Sequence, residues 1–279
     1  MSGAPPASGF AVTLRFHGDL PFFLKRSASD GTVVRLLREK TSIKDVIESC
    51  GVPHPEVDLI LCEGVPRAFQ FHVIGDTAVE VYPVTSSMEL YRDHQLQRRH
   101  ITRFVVDGHL GKLARDLRLL GFDTVYRSDA DDLVLMHIAV EEERVLLTRD
   151  RRLLMHARIR DGYCPRSDFV EDQIVEVMHR FDLRDAVRPY TRCLGCNGVL
   201  ERVEKSAVIH ELEPLTKIYY EDFRRCADCT HVYWSRLALR EAGGSARRDS
   251  DACRSARHRL KSGPDWARTS DPALIKRML

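Results

Sequence analysis

Apolar positions change rhythm along the chain, and each rhythm predicts a different kind of element. Between Ala11 and Phe16, Val12, Leu14 and Phe16 alternate with Thr13 and Arg15, the period-two pattern of a half-buried strand. Phe22–Leu24 reads as a second short strand. Ser42 has the chemistry of a helix N-cap and Gly51 that of a stop signal, so a helix is expected between them. Leu59–Cys62, the turn Glu63-Gly64 and Val79–Pro83 complete the pattern with further strands. Strands around one helix within residues 10–85 predict a small α+β unit of the β-grasp type.

Residues 86–101 break this rhythm. They are polar, carry Arg92, His94, Arg98, Arg99 and His100, and read as a solvated linker, with phosphate contact as the other use of such cations. From 102 to 185 short apolar strands alternate with helical patterns, the signature of an α/β layer fold. Phe104–Val106 runs into Asp107. Leu110, Leu113, Leu117 and Leu120 then recur at helical spacing, closed by Gly121, with Lys112, Arg115 and Arg118 on the other face. Thr124–Tyr126 is the next strand, Asp132–Glu143 the next helix, and Arg144–Thr148 a third strand. A helix over Arg151–Arg158 follows.

Residues 186–239 form a module around two Cys-x-x-Cys pairs, and 240–279 read as a disordered basic tail. The tail changes how the net charge of +2 is understood. It holds ten Lys or Arg against five Asp or Glu, so residues 1–239 carry −3. Overall basicity therefore says nothing about nucleic-acid binding by the folded body. The apolar runs fall short of the roughly 18 residues of a membrane-spanning helix, so no membrane association is expected. The N-terminus lacks a basic start with an apolar stretch, and eight cysteines without an export signal suit a reducing, cytoplasmic setting.

The acids give the first chemical lead. Asp107 ends one strand and Asp150 follows another, while Asp131 and Asp132 open a helix that follows a third. If the strands are parallel, all four emerge at one sheet edge, where open α/β sheets bind ligands. Clustered carboxylates repel unless cations neutralise them, and a hard divalent ion does so while retaining sites for water and phosphate. Each acid also has an ordinary use. Asp131, Asp132 and Asp150 suit helix caps, Asp107 suits a turn, and Asp168 suits a further N-cap.

The pairs Cys193/Cys196 and Cys226/Cys229, separated by 29 residues, present four thiolates, the complement of a tetrahedral structural Zn²⁺. Arg224, Arg225, His231, Tyr233 and Trp234 around the second pair suit either RNA stacking or the filling of a small core. Arg149, Arg151, Arg152, Arg158 and Arg160 flank Asp150; beside a metal site such cations would hold a phosphate backbone, and away from one they are a solvated face.

Together, Phe104-Val105-Val106-Asp107, Leu110–Arg115, Leu117–Asp123, Asp129-Ala130-Asp131-Asp132 and Val145–Asp150 resemble the PIN-like ribonucleases of the Mut-seven C-terminal family. Members carry a zinc ribbon after the nuclease core, and some carry an N-terminal ubiquitin-like domain. The resemblance implies a PIN-like, Rossmann-like parallel-sheet core after a ubiquitin-like β-grasp domain and before a zinc ribbon. It further implies RNA cleavage with Mg²⁺ or Mn²⁺ held by Asp107, Asp131, Asp132 and Asp150, of which Asp107, Asp132 and Asp150 are the catalytic candidates. Zn²⁺ would sit on Cys193, Cys196, Cys226 and Cys229. Lys112, Arg115, Arg149, Arg151 and Arg152 are the expected contacts to single-stranded or structured RNA, and the β-grasp unit is the expected docking point for a protein partner. That unit ends in Val81-Tyr82-Pro83-Val84 without a Gly-Gly, which argues against a carrier role and favours recognition or packing. The alternative reading is a non-catalytic RNA- or ribosome-binding adaptor on the same fold.

Overall fold

The computed structural model describes residues 9–25, 28, 30–84 and 89–234. The expected tail, 240–279, lies outside the described residues. The remainder falls into two compact units, the first of residues 9–113 and 125–185, the second of 114–124 and 186–234. Among the described residues no helix is long and apolar enough to cross a membrane.

The first unit opens with β1 (Phe10–Phe16), β2 (Thr32–Leu37), β3 (Thr41–Ser42) and α1 (Ile43–Ser49). It continues with β4 (Val57–Cys62), β5 (Val65–Pro66), β6 (His72–Val73) and β7 (Thr77–Pro83). These build a five-stranded sheet of order β2-β1-β7-β4-β5, with β1 and β7 parallel at its centre, and a small β3-β6 pair. This is a ubiquitin-like domain. The alternation read in β1 places Val12, Leu14 and Phe16 in the core. Ser42 caps α1 as its sequence predicts, its hydroxyl accepting from the Asp45 N–H at 3.1 Å and donating to the Asp45 carboxylate at 2.6 Å.

Two local expectations fail here. Leu20–Phe23 is a 3₁₀ turn rather than a strand, because Pro21 in its first turn fixes a helical φ and has no N–H for a ladder. β2 escapes a periodicity reading because it is an edge strand whose Val34 and Leu36 face solvent.

The chain continues with β8 (Arg103–Val106), α2 (Gly111–Leu119), β9 (Asp123–Tyr126) and α3 (Asp132–Glu141), of which residues 114–124 of α2 and β9 count with the second unit. The first unit ends with β10 (Val145–Leu147), α4 (Arg151–Leu154), β11 (Gly162–Tyr163) and α5 (Val170–Phe181). Their sheet has the order β11-β10-β8-β9, with β10 parallel to both β8 and β11. All three residues of β10, and Phe104, Val105 and Val106 of β8, are buried, as expected for parallel strands covered on both faces. α4 stops at Leu154, shorter than expected. A turn closed by Ile159 N–H to the His156 carbonyl (2.9 Å) then sends Ile159 into the core.

The expected solvated linker is instead a strap. The Leu96 and Gln97 N–H groups donate to the Asp58 carbonyl and carboxylate (2.8 and 2.9 Å), and the Gln97 amide donates to the carbonyls of His54 and Val57. Arg98 pairs with Asp161, and Arg99 lies 3.5 Å from Asp58. Both carboxylates are buried, and burial of a charge demands a partner, which these cations supply.

The second unit contains β12 (Leu200–Val203), α6 (Lys205–Val208), α7 (Pro214–Tyr219), β13 (Phe223–Cys226) and β14 (Val232–Trp234). The strands form an antiparallel sheet of order β12-β13-β14. Gly121, read as a helix stop, has φ +94°, and a Cβ there would overlap the Arg188 carbonyl oxygen. Gly64, with φ +75°, has open space around it. Gly64→Ala should therefore cost only the left-handed strain of about 1–2 kcal/mol. Gly121→Ala should cost at least about twice that, because a backbone carbonyl must also move. Thermal unfolding of the two variants checks the ranking, and equal losses would contradict it.

Candidate active site and metal centre

The parallel pairing of β8 and β10 sets Val106 opposite Leu147, so Asp107 and the segment Thr148–Asp150 leave the sheet at the same edge. One hydroxyl joins them. Thr148 Oγ1 donates to Asp107 Oδ2 at 2.6 Å and accepts from the Asp150 N–H at 2.9 Å. Thr148 is itself buried, so its rotamer is fixed by packing as well as by these two bonds. Asp107 also receives a backbone constraint, its N–H donating to the Leu147 carbonyl at 3.0 Å.

Asp150 does act as an N-cap. Its Oδ1 accepts from the N–H groups of Arg152 (2.7 Å) and Leu153 (3.2 Å) at the start of α4. Asp131 caps α3, accepting from the Val134 N–H at 2.9 Å, and Asp132 is exposed in the first turn. The ordinary use of these acids is therefore real, yet it engages one named carboxylate oxygen in each capping residue. Asp168 is not the expected cap. Phe169 holds that position at α5, and the Asp168 carboxylate pairs with Arg149 at 2.7 Å.

The loop carrying Asp131 is drawn toward Asp107 by close packing. The Tyr126 hydroxyl donates to the Gly108 carbonyl at 3.0 Å, and a Cβ on Gly111 would lie 2.6 Å from that hydroxyl. A Cβ on Gly108 would lie 3.0 Å from the Ser128 carbonyl oxygen. Glycine at 108 and 111 thus lets the turns after β8 and β9 approach. The four acids are nonetheless not gathered at ligand spacing. Among the described residues, the four cysteines are the one set of three or more metal-ligating groups brought together.

Of the expected RNA contacts, Lys112 and Arg152 are exposed, and Arg115 is half-buried one turn along α2. Arg149 is exposed, but its guanidinium is engaged by the protein, donating to the Pro165 carbonyl at 3.2 Å and to the Ser167 carbonyl besides its pairing with Asp168. Arg151 donates to the carbonyls of Phe23 (2.9 Å) and Phe22 (3.3 Å).

In the second unit, Cys193, Cys196, Cys226 and Cys229 present their sulfurs within 4.8 Å of one another. Cys193 and Cys229 lie 3.6 Å apart and Cys196 and Cys226 3.4 Å apart. A disulfide needs about 2.05 Å. Zn–S bonds of about 2.3 Å in a tetrahedron separate sulfurs by about 3.8 Å. The donor set therefore suits zinc, as in a zinc ribbon. Cys193 is buried, which by itself would raise its pKa. The Cys196 N–H and the Tyr233 hydroxyl, 3.1 Å from its sulfur, outweigh burial and lower it to about 7.

Arg118 is not part of a solvated face. It is buried and donates to the carbonyls of Thr124 (2.9 Å), Leu194 (3.0 Å) and Gly195 (2.9 Å), bracing the first knuckle from behind. Burial lowers its pKa, and the sulfurs of Cys193 and Cys196 act in the opposite direction. Asn197 completes the brace, accepting from the Thr124 N–H at 2.9 Å and donating to Asp123 at 2.7 Å. Tyr233 is buried, and Trp234 packs against Tyr220 and the Val208–Phe223 cluster, so these aromatics fill a core. Thr148, Arg118 and Asn197 carry no sequence signal of their own. Each earns its role only through partners distant in sequence.

Tyr233→Phe removes one donor from a sulfur, and second-sphere losses of this kind weaken metal binding by about tenfold. With Cys193 holding its proton more tightly, zinc should be released at a higher pH during acidification. Chelator competition and acid titration of zinc-loaded protein check this; an unchanged or lower release midpoint would exclude the hydroxyl's role.

Two family models match the chain. The Mut7-C ubiquitin model covers residues 9–89, and the Mut7-C RNAse domain model covers residues 102–242, just over half of the chain. No curated protein matches it. With a ubiquitin-like sheet, a parallel nuclease-type sheet and a four-cysteine module in that order, the chain belongs to the Mut7-C RNAse domain family.

Proposed function

We propose that this protein is a metal-dependent ribonuclease whose reacting centre is the edge carrying Asp107 and Asp150. The supporting observation is the Thr148 hydroxyl, which ties the Asp107 carboxylate to the Asp150 backbone at the carboxyl ends of two parallel strands. The donor set is all hard oxygen, which suits Mg²⁺ or Mn²⁺ held by one or two carboxylates with water and phosphate oxygens completing the shell. Asp107 and Asp150 would hold that ion, with Asp131 and Asp132 within the same edge. When bound, it would lower the pKa of a water and offset charge gathering on the phosphate.

The chain's own residues supply orientation. Thr148 bonds Oδ2 of Asp107, and the α4 amides bond Oδ1 of Asp150, leaving the other oxygen of each outside these bonds. The exposed Lys112 and Arg152 flank the edge and would hold the RNA backbone without reading its bases. Arg149 and Arg151, with their donors on protein carbonyls, would act on the scaffold rather than on RNA.

Asp107→Asn and Asp150→Asn should each lower Mg²⁺- or Mn²⁺-dependent RNA cleavage by about a hundredfold or more, since each removes a charge the site is built around. Thr148→Val should cost about tenfold by releasing the Asp107 carboxylate. Full activity in both Asn variants would reject the assignment, and tight RNA binding with no cleavage at any metal concentration would favour an adaptor. Lys112→Ala and Arg152→Ala should each reduce the slope of log affinity against log salt by about one. Binding isotherms at several salt concentrations measure this, and an unaltered slope removes the residue from the interface.

A further inference from the structure

The ubiquitin-like sheet and the nuclease sheet belong to one compact unit, and their buried residues form a continuous cluster from Val12 to Cys164. Some polar contacts between them fall elsewhere, His54 on the Ile159 carbonyl (2.7 Å) and Arg180 on the Pro55 carbonyl (3.2 Å), but a further set meets the segments on either side of Asp150. Glu56, 2% exposed, leaves the turn before β4 and reaches the far side of β11. Its Oε1 accepts from the Cys164 N–H at 2.7 Å, and its Oε2 accepts from Arg166 at 2.8 Å. Arg166 also lies 3.0 Å from Asp19 and over the rings of Phe23 and Tyr163.

The loop so anchored, 165–168, is the one that Arg149 grips through three backbone carbonyls and Asp168. Arg149 immediately precedes Asp150. On the other side of Asp150, Arg151 sends its guanidinium to the carbonyls of Phe22 and Phe23, 5.1 Å from each ring centre. Both neighbours of Asp150 in sequence are thus fastened, one directly and one through a loop, to the N-terminal domain.

We propose that the ubiquitin-like domain is a positioning element of the acid edge, with Glu56 and the Phe22 and Phe23 carbonyls as the groups that hold Asp150 and the start of α4 in place. Arg151 and Arg166 transmit the constraint. The proposal rests on the reading of Asp107 and Asp150 as the reacting edge. The buried face of the domain formed by Leu20, Phe23 and 54–56 is then an internal interface, with Phe22 left exposed at its border.

The test uses the full chain and the variants Arg151→Ala, Arg151→Lys and Glu56→Gln, with Arg92→Ala in the exposed part of the connector as a control. Hydrogen exchange is followed residue by residue, together with kcat and KM for RNA. Arg151→Ala should speed exchange of the Arg152 and Leu153 amides, which bond Asp150, by at least tenfold relative to β1 and β7. It should lower kcat about tenfold with KM little changed. Arg151→Lys should restore less than half of the protection, because an ammonium cannot span two carbonyls and two rings. Glu56→Gln should loosen Cys164 and the same two amides. If that variant fails to fold, Arg151→Ala decides alone. Unchanged exchange at Arg152 and Leu153 in Arg151→Ala, or a uniform acceleration across the unit, would overturn the proposal. Should the parent protein show no metal-dependent cleavage while Arg151→Ala still exposes those amides, the nuclease reading falls and the mechanical link stands.

Discussion

A charge removed from water needs partners, and that requirement organises this chain more than any single hydrophobic contact. Glu56, Asp58, Asp161, Arg118 and Arg180 are all buried. Each draws a segment distant in sequence onto itself. Asp58 and Asp161 collect the strap of Gln97, Arg98 and Arg99; Glu56 collects Cys164 and Arg166; Arg180 reaches the Pro55 carbonyl at 3.2 Å. Breaking one partner would leave the other buried and uncompensated, which costs more than the pair itself contributes. Contacts of this kind bind the two sheets into one compact unit.

The same need for partners decides which cations are engaged by the protein itself. Along the chain, Arg149, Arg151, Arg98 and Arg99 look like the arginines of a phosphate-binding face. In the folded unit their donors meet carbonyls and carboxylates of the protein itself. Lys112 and Arg152 are exposed. The acids divide in a comparable way. Asp131 and Asp150 hold helix N-termini, and Asp150 does so at the edge where the parallel strands β8 and β10 end, with one of its carboxylate oxygens outside the capping bonds.

The cysteine module depends on a different arrangement of the same physics. Four thiolates in one place repel, and a cation between them resolves the repulsion. The surrounding donors reduce it further: amide N–H groups and the Tyr233 hydroxyl point at the sulfurs, and Arg118 braces the first knuckle through its carbonyls. Asn197, with φ +73°, adopts the left-handed turn that lets the knuckle close while its amide bridges to Asp123 and Thr124.

Local pattern determined a good part of this protein. The alternation of β1, the Ser42 cap, the leucine spacing of α2, the apolar β8 and β10 and the paired Cys-x-x-Cys turns follow from interactions within a few residues, which a sequence displays directly. So does the presence of acids at strand ends, because a strand's direction and its last residue are both local. What only the tertiary structure decided is which groups those residues meet. Thr148 joins Asp107 to Asp150 because β8 and β10 pair in register, Arg118 supports a knuckle some 76 residues away, and Glu56 reaches Arg166 across 110 residues. Leu20–Phe23 became a turn and the polar linker a strap for the same reason. Hydrophobic periodicity records which face of an element is buried, whereas the partner of a buried charge is fixed only when the layers close.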